Sequence, residues 1–208
     1  MEDPRSIWES RYSSQNTERF KTNSDWLNKW SHLFEGNNRY ALDVGSGIGT
    51  DTKTLIEFGF EVTAIDFSDA AIKQSEIRNP KATHFNRDLS KGLGTFTTQY
   101  SVTVANLSLH YFAKDQTAQI IRDIHAALEK DGIFIFRVNS KEDRNYGAPE
   151  GLDRWTQIQV NGVLKQFFDK QMITKLLDGY FDIHSLKNRE TNRFGKTKKL
   201  IECVAKKT

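Results

Sequence analysis

The chain has 208 residues, 37% of them hydrophobic, and its 30 lysines and arginines against 27 aspartates and glutamates leave a net charge of +3. That length suits one domain with its own core, and a charge so near balance argues against a bulk nucleic-acid binder. The single cysteine, Cys203, cannot form an internal disulfide, no Cys/His cluster has zinc spacing, Met1 to Arg5 lacks a signal-peptide pattern, and no apolar run reaches the roughly 18 residues of a membrane span. A cytoplasmic protein is expected.

Two short helices are expected first, Ile7 to Tyr12 and Ser24 to Phe34, carrying Trp8, Tyr12, Trp26, Trp30 and Phe34. From Arg39 onward, short β-branched or aromatic runs alternate with segments of helical period, the pattern of a parallel sheet covered by helices. Strands are read at Arg39 to Val44, Glu61 to Ile65, Ala82 to Asn86, Tyr100 to Ala105 and Ile133 to Val138. Between them come helices at Thr50 to Phe58, closed by Gly59, at Ala70 to Arg78, capped by Ser68-Asp69, and at Asp115 to Glu129, with Ile120, Ile121, Ile124 and Leu128 on one stripe. His125, lying within that stripe, reads as a packed or half-exposed residue.

Then follows a polar, glycine-bearing stretch, residues 139–167, with a turn signal at Asn161-Gly162. A helix at Lys170 to Leu177 has Asp169 as N-cap, Phe168 and Ile173 spaced for a hydrophobic staple, and Gly179 beyond its end. The last two strands, Phe181 to Lys187 and Lys199 to Ala205, are joined without a helix and are expected to pair antiparallel. The reading is an α/β fold: a seven-stranded mixed sheet with an antiparallel last strand and helices on both faces. It divides into a helical lid (1–36), a core (37–138), a substrate-side loop region (139–168) and a C-terminal helix with its hairpin (169–208). Lys187, Arg189, Arg193, Lys196, Lys198 and Lys199 make a basic run in that hairpin, read as its solvated tip and flanks; the sharper alternative is a landing site for an anionic substrate or RNA.

The strongest chemical signal is Tyr40-Ala41-Leu42-Asp43-Val44-Gly45-Ser46-Gly47-Ile48-Gly49-Thr50, a strand running into glycines and then a helix. Glycines there let backbone approach a ligand at a helix N-terminus. The dinucleotide fingerprint G-x-G-x-x-G needs a glycine where Thr50 stands, which argues against a pyrophosphate-bound NAD. Asp66 ends the second strand, where an acid can accept both hydroxyls of a ribose.

In this order of motifs the chain resembles the class I S-adenosylmethionine-dependent methyltransferases, from Arg39 to the C-terminus. Leu42 to Gly49 looks like the family's first motif, Asp66 like its ribose-binding acid, Arg87-Asp88-Leu89 like its adenine-contacting motif, and Asn106-Leu107-Ser108-Leu109-His110-Tyr111 like its fourth. Lys130-Asp131-Gly132 resembles the turn that commonly reads Pro-Gly-Gly, with the proline absent. The resemblance implies a Rossmann-like sheet with the reversed seventh strand between the fifth and sixth. It also implies S-adenosylmethionine as methyl donor, S-adenosylhomocysteine as product and no metal. Trp8-Glu9-x-Arg11-Tyr12, Asn145-Tyr146-Gly147, Arg154, Phe167-Phe168-Asp169 and Arg193-Phe194-Gly195-Lys196 resemble the small-molecule branch that contains the tellurite-resistance methyltransferases.

The residues expected at the cofactor are Arg11, Gly45, Ser46, Gly47, Asp66, Phe67, Asp88, Leu89, Asn106 and Leu107. The alternative for Asp88 is a turn cap, and for Asn106 a strand terminator. Methyl transfer from a sulfonium needs alignment, exclusion of water and, for some acceptors, loss of a proton. His110, with Tyr111, is placed to act as a general base, although it reads also as a residue bonded to backbone. Trp8 and Tyr12, one helical turn apart, form either a lid offering cation–π contact or core anchors. Tyr146, Arg154 and Trp155 are assigned to the substrate pocket. The expected partner is a small-molecule acceptor, with no membrane; methyl transfer to RNA or protein, or a non-catalytic regulator that binds the same donor, are the alternatives. Oligomeric state is unreadable in the sequence.

Overall fold

The computed structural model describes residues 4–13, 25–34, 38–152, 155–193 and 195–208. Seven strands make one sheet: β1 (Tyr40–Val44), β2 (Glu61–Asp66), β3 (Thr83–Asn86), β4 (Tyr100–Asn106), β5 (Leu128–Asn139), β8 (Phe181–Arg193) and β9 (Lys196–Lys207), in the order β3-β2-β1-β4-β5-β9-β8. Strands β1 to β5 pair parallel, and β9 enters antiparallel between β5 and β8, the arrangement the family resemblance implies. A separate two-stranded hairpin, β6 (Gln157–Val160) and β7 (Val163–Gln166), sits in the connection after β5.

Alternate side chains of the central strands feed two cores, which is why these strands are apolar on both sides. Leu42, Val44, Phe134, Phe136 and Val138 face α4 (Lys114–Ala127) and α5 (Lys170–Leu177), meeting Ile120, Ile124, Met172 and Ile173. Ala41, Val102, Val104, Ile133 and Ile135 face the other way, against Leu55 of α2 (Thr50–Glu57) and Trp26, Leu27 and Trp30 of a 3-10 helix, Asp25–Leu33. Phe34 follows that helix in the same core. α1 (Pro4–Ser13) and α3 (Asp69–Arg78) complete the fold. No helix among the described residues is long and apolar enough to cross a membrane.

Local signals placed most boundaries. Asp169 accepts from the Met172 amide at the start of α5 at 2.8 Å, Ser68 from Ala71 at the start of α3 at 3.1 Å, and Asn161 and Gly162 hold φ of 52° and 83° between β6 and β7. Two regions depart from expectation. β5 begins at Leu128, directly after α4, and absorbs the expected turn as an irregularity at Asp131, φ 64°. The terminal hairpin is far longer than its apolar stretch, pairing from Phe181↔Lys207 to Arg193↔Lys196 with one register shift between Ile183 and Ser185. Antiparallel pairing is a backbone property, so polar residues extend it where cross-strand charges such as Glu190 and Lys199, 3.6 Å apart, oppose one another.

Candidate active site

The carboxyl ends of the parallel strands open into a cleft of about 940 Å³. Its floor is the glycine loop between β1 and α2. The Gly45 and Ser46 amides donate to the Ile65 carbonyl at 2.8 and 2.9 Å, turning the chain away from the sheet. Gly45, at φ 72°, passes so close to the end of β4 that a Cβ would lie 2.3 Å from that of Ser108. A Cβ on Gly49, at φ 78°, would meet Ser75 of α3 and Asn79 just beyond its end, and Asn79 donates to the Gly49 carbonyl at 2.9 Å. Both positions exclude side chains for steric and conformational reasons together. Within the loop, the buried Ser46 hydroxyl has no hydrogen-bond partner among the described residues and lines the cleft.

Carboxylates surround this loop. Asp66, 6% exposed, accepts from the Gly47 amide at 2.8 Å and the Ser68 amide at 3.0 Å. Burial raises its pKa, and these N–H groups oppose the rise. Asp43 lies beneath the loop and accepts from the Thr52 hydroxyl at 2.6 Å. Burial, then the negative charge of Asp51, pushes its pKa up to about 8. Asp51 itself accepts from the Trp26 indole and from the Asn106 amide, each at 2.8 Å, leaving the buried Asn106 Oδ1 with no partner among the described residues.

Asp88 also lines the cleft, and its carboxylate caps the 3-10 turn Leu89–Lys91 by accepting from the Ser90 amide at 2.9 Å and hydroxyl at 2.7 Å. The turn-cap reading therefore describes its contacts here. Leu89 is buried, and Phe67 lies under the Arg5 guanidinium at 5.9 Å. Leu107 holds a φ of 56°, unusual for leucine, with its amide tied to the Arg137 carbonyl at 2.9 Å. The backbone is thus bent where it borders the cleft.

α1 forms the roof. Trp8 and Tyr12 stack at 5.6 Å, Trp8 meets the edge of Tyr111 at 5.0 Å, and Tyr111 lies 4.2 Å from His110, ring to ring. All four line the cleft, and His110 is only 2% exposed. Arg11 spans roof and wall: its guanidinium lies 4.7 Å from the Trp8 ring centre and donates to the Asn161 carbonyl at 3.0 Å. Glu9 fastens the helix from outside by accepting from the amides of Asp69 and Ala70, the first residues of α3, at 2.6 and 3.0 Å.

Tyr146 lines the cleft and Trp155 does not. Trp155 packs edge-on against Phe168 at 6.2 Å with the Lys114 ammonium 5.4 Å from its ring, while Arg154 lies outside the described residues. The basic run also divides. Lys187 and Lys196 are exposed as expected of a solvated tip, but Lys198 is 4% exposed and lines the cleft, contrary to that expectation. Its parity in β9 matches the buried Leu200 and Glu202, a signal that a count of charges overlooks. Lys198 donates to Asn139 at 2.7 Å and Asp143 at 3.0 Å, and its ammonium sits 4.5 Å from the Tyr146 ring centre. Asn139, Gln157 and Lys165 are further lining residues that sequence reasoning missed. Of these only Asn139 carried a signal, the end of a parallel strand.

His125 and Cys203 stand away from this site. His125 is half-buried against Tyr180 and Phe181, its pKa lowered by burial and then by Lys207. Cys203 is fully buried in β9, and burial raises its pKa out of the nucleophilic range.

A family model described as a methyltransferase domain matches residues 15–180. Phosphoethanolamine N-methyltransferase 1 of Caenorhabditis elegans is 28% identical over 107 residues, which cover 50% of this chain and 22% of that protein; the chain thus spans about a fifth of its length. Among solved structures, the N-methyltransferase NodS from Bradyrhizobium japonicum WM9, in complex with S-adenosyl-L-homocysteine, superposes with a TM-score of 0.72 at 15% identity, covering 99% of each chain. TehB from Haemophilus influenzae gives a TM-score of 0.68 at 13% identity over 92% of this chain and 65% of its own. At such identities the structural likeness is one of fold.

Proposed function

The chain belongs to the methyltransferase-domain family, whose methyl donor is S-adenosylmethionine, and from that premise we propose that it methylates a small-molecule acceptor by direct displacement, releasing S-adenosylhomocysteine. The observation that carries the reading is a roofed cleft lined together by the glycine loop, Asp66 at the end of β2, Asp88 beyond β3, and His110 and Tyr111 beyond β4. Its volume, about 940 Å³, suits a cofactor together with a small acceptor. The glycine loop and the unpartnered Ser46 and Asn106 oxygens fit a polar ligand of this kind.

When bound, the cofactor supplies an electrophilic methyl carbon on a positively charged sulfur. In this reading Gly45, Ser46 and Gly47 admit its amino-acid part closely, and the amides at the start of α2 and Arg11 receive its carboxylate. Asp66 accepts from the ribose hydroxyls with lone pairs the loop amides do not use. Phe67 packs on the adenine; Asp88 accepts from its amine and Leu89 donates to its ring. The Asn106 and Leu107 backbone faces the ammonium. Trp8 and Tyr12 roof the reacting centre, exclude water and offer their ring faces to the sulfonium. Tyr146, with Arg154, belongs to the acceptor side, whereas Trp155, packed against Phe168, stands outside the cleft. His110, beside Tyr111, takes the proton that a neutral nucleophile loses as it bonds to the methyl carbon and the carbon–sulfur bond breaks. The division into lid, core, substrate-side region and C-terminal hairpin belongs to the same proposal.

Isotope-labelled S-adenosylmethionine, incubated with separate metabolite, RNA and protein fractions, tests the acceptor class. Label in the metabolite fraction is expected. Label in RNA or protein overturns the small-molecule reading, and none in any fraction favours the regulator. Asp66→Ala is expected to weaken S-adenosylhomocysteine binding by about tenfold or more in calorimetry; an unchanged affinity removes Asp66 from the cofactor site.

A further inference from the structure

Resting on that reading, we infer that Asn139 is a specificity-determining residue for the acceptor: its side-chain N–H donates to a carbonyl-type oxygen, neutral or carboxylate, on the molecule to be methylated. Asn139 closes β5 at the carboxyl end of the sheet, lines the cleft and is fully buried. Its Nδ2 is a buried donor with no hydrogen-bond partner among the described residues. Such an N–H is unfavourable unless something accepts from it, so it marks a place for an acceptor atom. The cofactor reading draws on the glycine loop, Asp66, Asp88 and Asn106, and leaves Asn139 without a task.

The neighbours of Asn139 fix which way its amide faces. The Lys198 ammonium, 2.7 Å from the Asn139 side chain, offers donors only, so the atom turned to it is Oδ1 and the N–H end is aimed elsewhere. Lys198 is itself anchored: the fully buried Asp143 accepts from its ammonium with one oxygen and from the Lys199 amide with the other, each at 3.0 Å. The Asn139 backbone is held as well, by pairing with Leu200 of β9 and by the Phe168 amide, which donates to its carbonyl at 2.9 Å. The donor therefore stands preorganised before a ligand arrives.

The surroundings select the kind of atom. Nδ2 and the adjacent Lys198 ammonium are both donors, so a hydroxyl would have to aim its own hydrogen away from them, whereas a carbonyl or carboxylate oxygen brings lone pairs alone. Asp143 matches the Lys198 charge, so this corner reads hydrogen-bond polarity and admits neutral and ionised oxygens alike. It also lies on the acceptor side. β5 packs against the short turn Leu109–Tyr111, which bears His110 and Tyr111, while the glycine loop, Asp66 and Asp88 follow β1, β2 and β3 further across the sheet. An acceptor seated by its oxygen at Asn139 presents its nucleophile toward that turn.

Probes matched in shape and charge test this on the chain saturated with S-adenosylhomocysteine: benzamide against thiobenzamide and benzoate against dithiobenzoate, planar rings suited to a cleft lined by Tyr111 and Tyr146, with sulfur the weaker acceptor in each pair. In calorimetry at least one oxygen probe is expected to bind about fivefold or more tightly than its sulfur mate. The pair that shows the gap distinguishes a neutral carbonyl from a carboxylate. Asn139→Asp keeps the oxygen that holds Lys198 and replaces the donor alone; it is expected to close the gap while leaving S-adenosylhomocysteine affinity unchanged. Should that variant fail to fold, the wild-type chain still decides: the side-chain amide resonance of Asn139 in nitrogen-15 spectra is expected to shift with the oxygen probe and stay in place with its mate. Equal binding of the mates, binding of no oxygen probe, an unmoved Asn139 resonance or a gap that survives Asn139→Asp overturns the inference. Titration of S-adenosylhomocysteine into the ligand-free chain separates the two readings: its failure removes the cofactor site, whereas its success without a preference for oxygen removes the role of Asn139 alone.

Discussion

Asp43 shows how much chemistry a single buried carboxyl carries without touching a ligand. Its folded pKa of about 8 stands above the ordinary 3.8, so the native protein keeps a proton that the unfolded chain releases. Stability from this group is therefore full below the ordinary value and declines as pH rises toward 8. Asp43→Asn mimics the protonated form, and its urea-unfolding free energy is expected to gain on the wild type steadily across that window. Parallel pH profiles for the two proteins would show that the carboxyl is ionised at no cost. The neighbouring Asp66 shifts in the same direction through burial, with the amides of Ser68 and Gly47 opposing the rise.

The helix that roofs the cleft is held at its edge by a cap borrowed from another element. At the N-terminus of α3 the amides of Asp69 and Ala70 bond to Glu9 of α1, and that of Ala71 bonds to Ser68. The orphan donors of one helix thus become the latch for another. Two bonds to a carboxylate at a positive helix end stabilise this docking by about 2 kcal/mol. Glu9→Ala is expected to speed S-adenosylhomocysteine release by about tenfold, while global unfolding changes little because α1 packs on the rim of the fold. Stopped-flow dissociation rates check this, and an unaltered rate would detach the roof from ligand retention.

Local reading did well at this scale wherever the cause was local. Ser68, Asp169, Gly59 and Asn161-Gly162 act on residues within a few positions, so their effects are visible in the string of letters. Glu9, 60 positions from its partner amide, gave no such signal. The polar hairpin tip misled for a related reason: pairing of β8 with β9 depends on backbone, and continues after the apolar pattern stops.

Across the whole molecule, one carboxylate ties the N-terminal segment to the far side of the sheet. Glu202, 1% exposed, meets Lys29 at 2.8 Å, Arg189 at 3.2 Å and Arg137 at 2.9 Å. Burial alone would raise its pKa, but Lys29 and Arg137 hold it below the usual range. Arg137 lies 4.1 Å from the Trp26 ring centre, and Trp26 donates to Asp51, which in turn holds Asn106 at the cleft. Glu202→Gln leaves the mostly buried Arg137 without its carboxylate and is expected to cost about 3 kcal/mol in urea unfolding. A loss within about 0.5 kcal/mol, the range of an ordinary surface change, would deny the network its central place.

Taken alone, the order of letters determined the alternation of strand and helix, the glycine turn after β1, the acids that end β2 and precede the next turn, and the family those motifs resemble. Each rests on periodicity, on conformational freedom at a few glycines or on short-range caps. Which side chains share the cleft was decided only by tertiary structure. Lys198 looked like one more surface charge until β9 slid in beside β5 and placed it between Asn139, Asp143 and Tyr146. Lys165, Asn139 and Glu9 acquired their neighbours in the same way. Burial and electrostatic environment belong to residues distant in sequence and near in space, and no local pattern along the chain encodes them.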